Sequence, residues 1–191
     1  MKFLKVEKGS YKYIEKQRII EIVKTAFMFF CCIAIYMIGY SVLKTNKSIW
    51  TILAILGVLP ASKSAVNMIM FIRNKSLTKD EFEKIESSRG NIPVLHELVF
   101  TTQETQYYVN SCACLNSTII CYSNVDEKKQ KKLKEHLNTS ISREELTGYS
   151  LKIYSSLDDY CKRLREMNSN MNDENDRSHE RLFLLFKAIT L

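Results

Sequence analysis

Glycine and proline are scarce in this chain, five and two in 191 residues. A phosphate-cradling loop needs several glycines within a few positions so that backbone N–H groups can approach the ligand, and no such run occurs. No Gly-x-Ser-x-Gly elbow is present to hold a serine nucleophile. The stretch Asn110 to Tyr122 lacks the acidic and acidic-x-Lys residues that a strand-hairpin nuclease would carry. Six cysteines occur, but none in the C-x₂₋₄-C knuckle spacing of structural zinc. These absences point to a non-enzymatic protein with no cofactor and no metal.

The most consequential absence is of charge. Thr25 to Leu43 is nineteen residues without a charged side chain. A bilayer core takes about 20 apolar residues as helix, so this run is long enough to span one. A second run, Ile49 to Ile72, contains a single charge, Lys63, and a single helix breaker, Pro60. The connection Lys44–Ser48 is so short that the two helices must be antiparallel neighbours. The expectation is a transmembrane hairpin over residues 19–73, with spans at about 19–43 and 49–72. A basic arm at 1–18 precedes it. A linker helix at 74–92 and an α/β domain at 93–191 follow.

Lysine and arginine near the span ends set the orientation. Residues 1–24 hold seven, and Arg73, Lys75 and Lys79 follow the second span, against Lys44 and Lys47 in the connection. That bias predicts an uncleaved multi-pass protein of the plasma membrane with both termini in the cytoplasm. The same partition explains the net charge of +7. Residues 93–191 carry thirteen basic and fourteen acidic residues, so the basicity belongs to the membrane flanks and nucleic acid is not an expected partner.

Lys63 is the anomaly of the second span. Read along the sequence, it stands near the middle, about 14 Å from the span's end at about 1.5 Å per residue. An ammonium at such depth costs about 2.5–3.5 kcal/mol on insertion scales, so it should meet a partner, water or the bundle interior. Asn67 lies one turn along the same face, Ser62 and Ser64 flank the lysine, and Pro60 frees a backbone carbonyl one turn back. Cys31 and Cys32 of the first helix are placed at a similar depth. Lys63 would then stand neutral and hydrogen-bonded, pair with an acidic protein or anionic lipid, or line a polar path in an oligomer. A water-accessible break at Pro60–Ser64 is the alternative to all three. The small residues Ala54, Gly57, Ala61 and Ala65 share one face of this helix. They suit close packing against Gly39 or Ala34, or a seam between copies.

Beyond the hairpin, Thr78-Lys-Asp-Glu81 has capping-box spacing and should open a short helix that Gly90 and Pro93 end. From Leu95 the apolar period becomes two. Strands are expected at 95–102, 106–115 and 118–123, with turns at Gln103–Glu104 and Asn116–Ser117. Tyr107, Val109, Ala113, Leu115, Ile120 and Tyr122 are assigned to one core face. A lysine-rich helix at 126–137, a strand at 151–154, a helix opened by Ser156, an Asn- and Asp-rich linker at 168–178 and an apolar terminal helix complete the domain. The fold class is thus α+β: a two-helix hairpin, then a small α/β domain with a mixed four-stranded sheet.

If Asn116–Ser117 is a two-residue turn, residue 112 faces residue 121, and Cys112, Cys114 and Cys121 share a face that His96 would join from the neighbouring strand. These four form a candidate thiol cluster, read chiefly as reduced, packed side chains. His96 and Glu97, adjacent in a strand, are expected to face opposite ways.

The segment Leu56-Gly-Val-Leu-Pro-Ala-Ser-Lys-Ser-Ala-Val66, with Leu95-His-Glu-Leu-Val-Phe-Thr-Thr102 and the following hairpin, resembles uncharacterised small two-span membrane proteins of clostridia-like bacteria. The resemblance implies a bacterial inner-membrane protein and brings no activity with it. The residues themselves point first to a membrane-anchored cytoplasmic module that binds a ligand or partner protein, and next to a subunit of a transport or permeation assembly using Lys63. A membrane-tethered enzyme of unrecognised type is the third. The expected partners are the lipid bilayer and a second protein or a second copy of the chain.

Overall fold

Small residues at seven-residue intervals build the first part of the fold. The computed structural model describes residues 7–44, 49–102, 105–146, 148–170 and 178–191. The expected Gln103–Glu104 turn, most of the 44–48 connection, most of the 168–178 linker and the first six residues of the arm lie outside these. The chain divides into two compact units, Ile14–Lys75 and, together, Glu7–Tyr13 with Ser76–Leu191.

The hairpin unit consists of α1 (Tyr13–Leu43) and α2 (Ile49–Arg73). The Arg18 side chain donates to the Phe71 carbonyl at 3.3 Å. Thr25 Oγ1 meets Ser64 Oγ at 2.9 Å. A Cβ at Gly57 would lie 3.0 Å from Cys32 Sγ, and one at Gly39 would collide with the Trp50 Cβ. The contacts therefore step by seven residues on both helices, Arg18–Phe71, Thr25–Ser64, Cys32–Gly57 and Gly39–Trp50. A seven-residue repeat winds an antiparallel pair gently left-handed. Ala54 and Ala61 are buried in the same seam, so the small residues serve packing within the hairpin.

This register revises the expected depth of Lys63. Cys32 is level with Gly57, not with Lys63, which falls level with Ala26. Lys24 falls level with Ala65. The two lysines are thus within a turn of one another along the hairpin, at the end of the charge-free stretch of α1. The second helix runs unbroken through Pro60, so the expected break at Pro60–Ser64 does not form.

The second unit is α3 (Lys79–Arg89), β1 (Val94–Thr101), β2 (Gln106–Leu115), β3 (Thr118–Tyr122), α4 (Glu127–Arg143), β4 (Ser150–Tyr154), α5 (Leu157–Ser169) and α6 (Ser178–Ile189). The four strands lie in chain order, antiparallel from β1 to β3, with β4 added parallel to β3 after α4. Thr78 and Glu81 close both halves of the capping box that starts α3. Ser156 and Asp126 stand at the N-caps of α5 and α4 without a side-chain cap bond. Asn116 and Ser117 both have positive φ, 48° and 58°, the pairing of a type I′ hairpin turn.

Apolar residues cover both faces of the sheet. On one, Ile120, Tyr122, Ala113 and Leu115 pack with Ile85 of α3 and Tyr160, Leu164 and Met167 of α5. On the other, Phe100, Tyr107, Val109, Cys112, Cys114 and Cys121 pack with Leu133 and Leu137 of α4 and Leu182 and Phe186 of α6. The single core face assigned from periodicity is therefore split: Tyr107 and Val109 face α4 and α6, the other four face α3 and α5. The cause is a break in alternation at one level of both β1 and β2. Leu95 shares a side with Leu98 and Phe100, and Cys112 with Val109, so the parity reverses between 95 and 98 and between 109 and 112. Glu97 sits at that reversal with φ 53°, left-handed backbone that side chains other than glycine enter at a cost.

The expected boundaries shift in three places. Helix α1 takes in the latter part of the basic arm. The segment Glu7–Tyr13 and α3 both belong to the sheet-bearing unit, so α3 is a covering helix, not a separate linker. The terminal helix packs on the sheet, with Phe186 edge-on to Phe100 at 5.6 Å.

Candidate functional site

Two consecutive polar residues in an apolar strand organise the most unusual region of the second unit. Glu97 is fully buried, and its carboxylate accepts from the Leu77 N–H at 2.9 Å and from the Ser76 hydroxyl. A polar group buried without hydrogen-bond partners costs free energy; these two donors come from the chain just after the hairpin. His96 donates its backbone N–H to the Gly9 carbonyl at 2.9 Å, which fastens the chain just before α1. Its ring packs edge-on to Phe82 at 5.2 Å, and Phe82 stacks on Tyr11 at 4.0 Å. The left-handed conformation at Glu97 brings both side chains to the α3 side, contrary to the expected opposition.

The electrostatics follow from burial. His96 Nε2 lies 3.3 Å from Glu86 Oε1. Burial pushes the imidazole below the usual histidine range, and the Glu86 carboxylate opposes that shift. With Nε2–H directed at Glu86, Nδ1 of the neutral ring is an acceptor. Burial pushes the Tyr108 phenol far up, with the Glu97 and Glu81 carboxylates adding to it. Tyr122 donates to Glu81 Oε1 at 3.3 Å and is pushed up to about 12, mainly by burial and then by Glu81. Among the described residues three buried atoms here have no hydrogen-bond partner: His96 Nδ1, Tyr108 Oη and Asn110 Oδ1. Asn110 falls at the level where the alternation reverses, His96 next to it and Tyr108 two residues away. The region around His96 and Glu97 can hold polar groups by hydrogen bonding.

Cys112, Cys114 and Cys121 do share a face, with Cys112 and Cys121 in register and their sulfurs 3.0 Å apart. All three are buried, reduced thiols under α4 and α6. Burial raises the Cys112 thiol, so it is held protonated and unreactive. His96 faces α3 on the other side of the sheet and does not join them. Among the described residues no group of three His, Cys, Asp or Glu side chains could hold a metal ion.

In the hairpin, Lys63 is exposed and Asn67 half-buried. The buried polar residue is Ser64, which bonds Thr25 across the seam and lies 3.4 Å from Glu21 Oε2. Glu21 and Thr25 are themselves buried. They were missed because one precedes the apolar run and the other opens it. Their spacing by four was the available signal, since it sets both on one face of α1.

A trough of ≈ 520 Å³ lies between the β3–β4 end of the sheet and α5, floored by Ile120, Lys152 and Tyr154 and walled by Asp159, Lys162 and Glu166. Charges of both signs line it. Compared with protein-family models, curated proteins and solved structures, the chain matches none.

Proposed function

We propose that this protein is a membrane-anchored module: α1 and α2 sit in a bilayer, and the α/β unit binds a ligand or partner protein on the cytoplasmic side without catalysing a reaction. One observation carries the anchoring. Of the 24 large apolar side chains that stand exposed among the described residues, 23 lie on α1 and α2 and the remaining one is Leu184. The core helix of a water-soluble protein hides such residues; here they face outward all round the hairpin, which lipid tolerates and water does not. The charge-free part of α1 is nineteen residues, about 28 Å of helix, close to the thickness of a hydrocarbon core of about 30 Å.

On this reading Lys63 stands at the rim of the apolar layer, level with Ala26 and near the level of Lys24, where a lysine reaches headgroups by snorkelling. That position favours anchoring over the transport reading, which needs Lys63 inside a polar path. The lysine and arginine bias supports cytoplasmic termini. The ligand-binding half rests on the trough beside α5. Alkaline carbonate extraction of membranes tests the anchor: the chain should stay in the pellet, and recovery as a monodisperse soluble protein without detergent would refute it. Reporter fusions at the two ends should both read cytoplasmic.

A further inference from the structure

The fold needs only one face of α4. Leu133, Leu137 and Ile141 bury that face, while Lys128, Lys129, Lys131, Lys132 and Lys134 are all exposed on the other. At 100° per residue Lys128, Lys131 and Lys132 lie opposite the buried residues, with Lys129 and Lys134 on the two flanks. Lys128 and Lys129 occupy the first turn, where the helix dipole disfavours cations. Lys128 with Lys132, Lys128 with Lys131, and Lys131 with Lys134 are like-charged neighbours three or four apart. Lys128, Lys129, Lys131 and Lys134 have no ion pair among the described residues. A solvated surface would be served as well by mixed charges, and the rest of residues 93–191 is acidic on balance, with eight basic and fourteen acidic side chains.

We propose that the lysine face of α4 is a docking surface for the anionic headgroups of the bilayer that holds the hairpin. The proposal rests on the membrane-anchored reading. Charge complementarity selects the occupant: Lys128, Lys131 and Lys132 stand together on the outer face of a rigid helix with Lys129 and Lys134 flanking them, and their ammonium groups match a layer of lipid phosphates. Tethering supplies the surface at high local concentration, so a contact too weak to recruit a free domain suffices to orient an anchored one. Screening confines the contact to about 8 Å at physiological salt.

The test is hydrogen exchange on the full chain in lipid nanodiscs, comparing phosphatidylcholine alone with a 7:3 mixture of phosphatidylcholine and phosphatidylglycerol. In the anionic discs at low salt, amides of residues 127–134 should exchange at least about threefold more slowly. The protection should disappear in 0.5 M sodium chloride and in a variant with all five lysines changed to glutamine. It should persist when they are changed to arginine, which keeps the charge and controls for folding. Equal exchange in the two disc types, or protection that survives the glutamine changes, would overturn the proposal. So would stronger protection by a single-stranded RNA 30-mer added to the neutral discs, which would make nucleic acid the occupant. A chain that enters neither kind of disc would remove the anchored reading along with this one; a chain that enters both but leaves α4 unprotected removes this one alone.

Discussion

His96 and Glu97 are neighbours in one strand, and each holds a different piece of chain: His96 takes the Gly9 carbonyl on its backbone N–H, and Glu97 takes the Leu77 N–H and the Ser76 hydroxyl on its carboxylate. Gly9 lies four residues before α1 begins, and Ser76 three residues after α2 ends. The segments entering and leaving the hairpin are therefore both fastened to two consecutive residues of β1. The left-handed backbone at Glu97 is what allows it, since an ordinary strand would aim the two residues at opposite faces.

Replacement of Glu97 should invert the usual order of strand substitutions. Glu97→Ala removes the acceptor from two donors and keeps the backbone strain, for a loss of about 2–4 kcal/mol. Glu97→Gly loses the same bonds but relieves about 1–2 kcal/mol of strain, so it should be the less damaging. Denaturant unfolding of the detergent-solubilised chain, followed on the sheet unit, distinguishes them. An alanine variant as stable as the glycine variant or more so contradicts the role given to the backbone.

Acidification should weaken the second unit through His96. Its folded pKa is lowered by burial, so the unfolded chain binds the proton more readily and stability falls as pH drops below about 6.5. His96→Gln should flatten the unfolding midpoint between pH 7 and 5. At the alkaline end the sign reverses: Tyr122 is raised to about 12, so its contribution is complete below about pH 10 and is lost as pH climbs through 12. Tyr122→Phe should reduce that alkaline loss. A midpoint indifferent to pH in either window, in the unaltered chain, refutes the corresponding assignment.

The hairpin seam makes a paired prediction. Gly39→Val places a branched side chain against Trp50 and should lower the thermal midpoint of the solubilised hairpin, by about 1–3 kcal/mol of overpacking. Trp50→Ala in the same chain should restore part of the loss, because the two residues occupy one layer. Strict additivity of the two changes would mean that the helices do not meet there.

Ser64, not Lys63, should be the sensitive position in α2. Ser64→Leu breaks the bond to Thr25 and forces bulk into the seam, whereas Lys63→Leu alters only an exposed side chain. Membrane fractionation and thermal melting should find the lysine variant close to the unaltered chain and the serine variant clearly impaired. The opposite ranking would restore an inward role to Lys63.

Much of the architecture could be read before any coordinates. The Thr78–Glu81 box, the Asn116–Ser117 turn and the Cys112–Cys121 pairing are local chemistry, decided within about ten residues. The misreadings concern quantities that no local window holds. The level of Lys63 depends on how α2 slides against α1, which Gly39, Cys32 and Thr25 settle through the residues they meet. The division of core residues between two faces depends on the parity reversal at Glu97 and Asn110, where a strand with sound β-formers on either side conceals a non-glycine residue at positive φ. The pair His96–Glu97 in an apolar strand was the visible trace of that reversal.

The two outer strands of the sheet are not alike. Along β1 the free side is occupied by Gly9 at one point and by Thr190 and Leu191 at others, through bonds to His96, Val99 and the Phe100 bridge. Strand β4 ends the sheet on the other side. Among the described residues, edge-to-edge growth of this sheet is therefore blocked on the β1 side unless Gly9, Thr190 and Leu191 are first displaced.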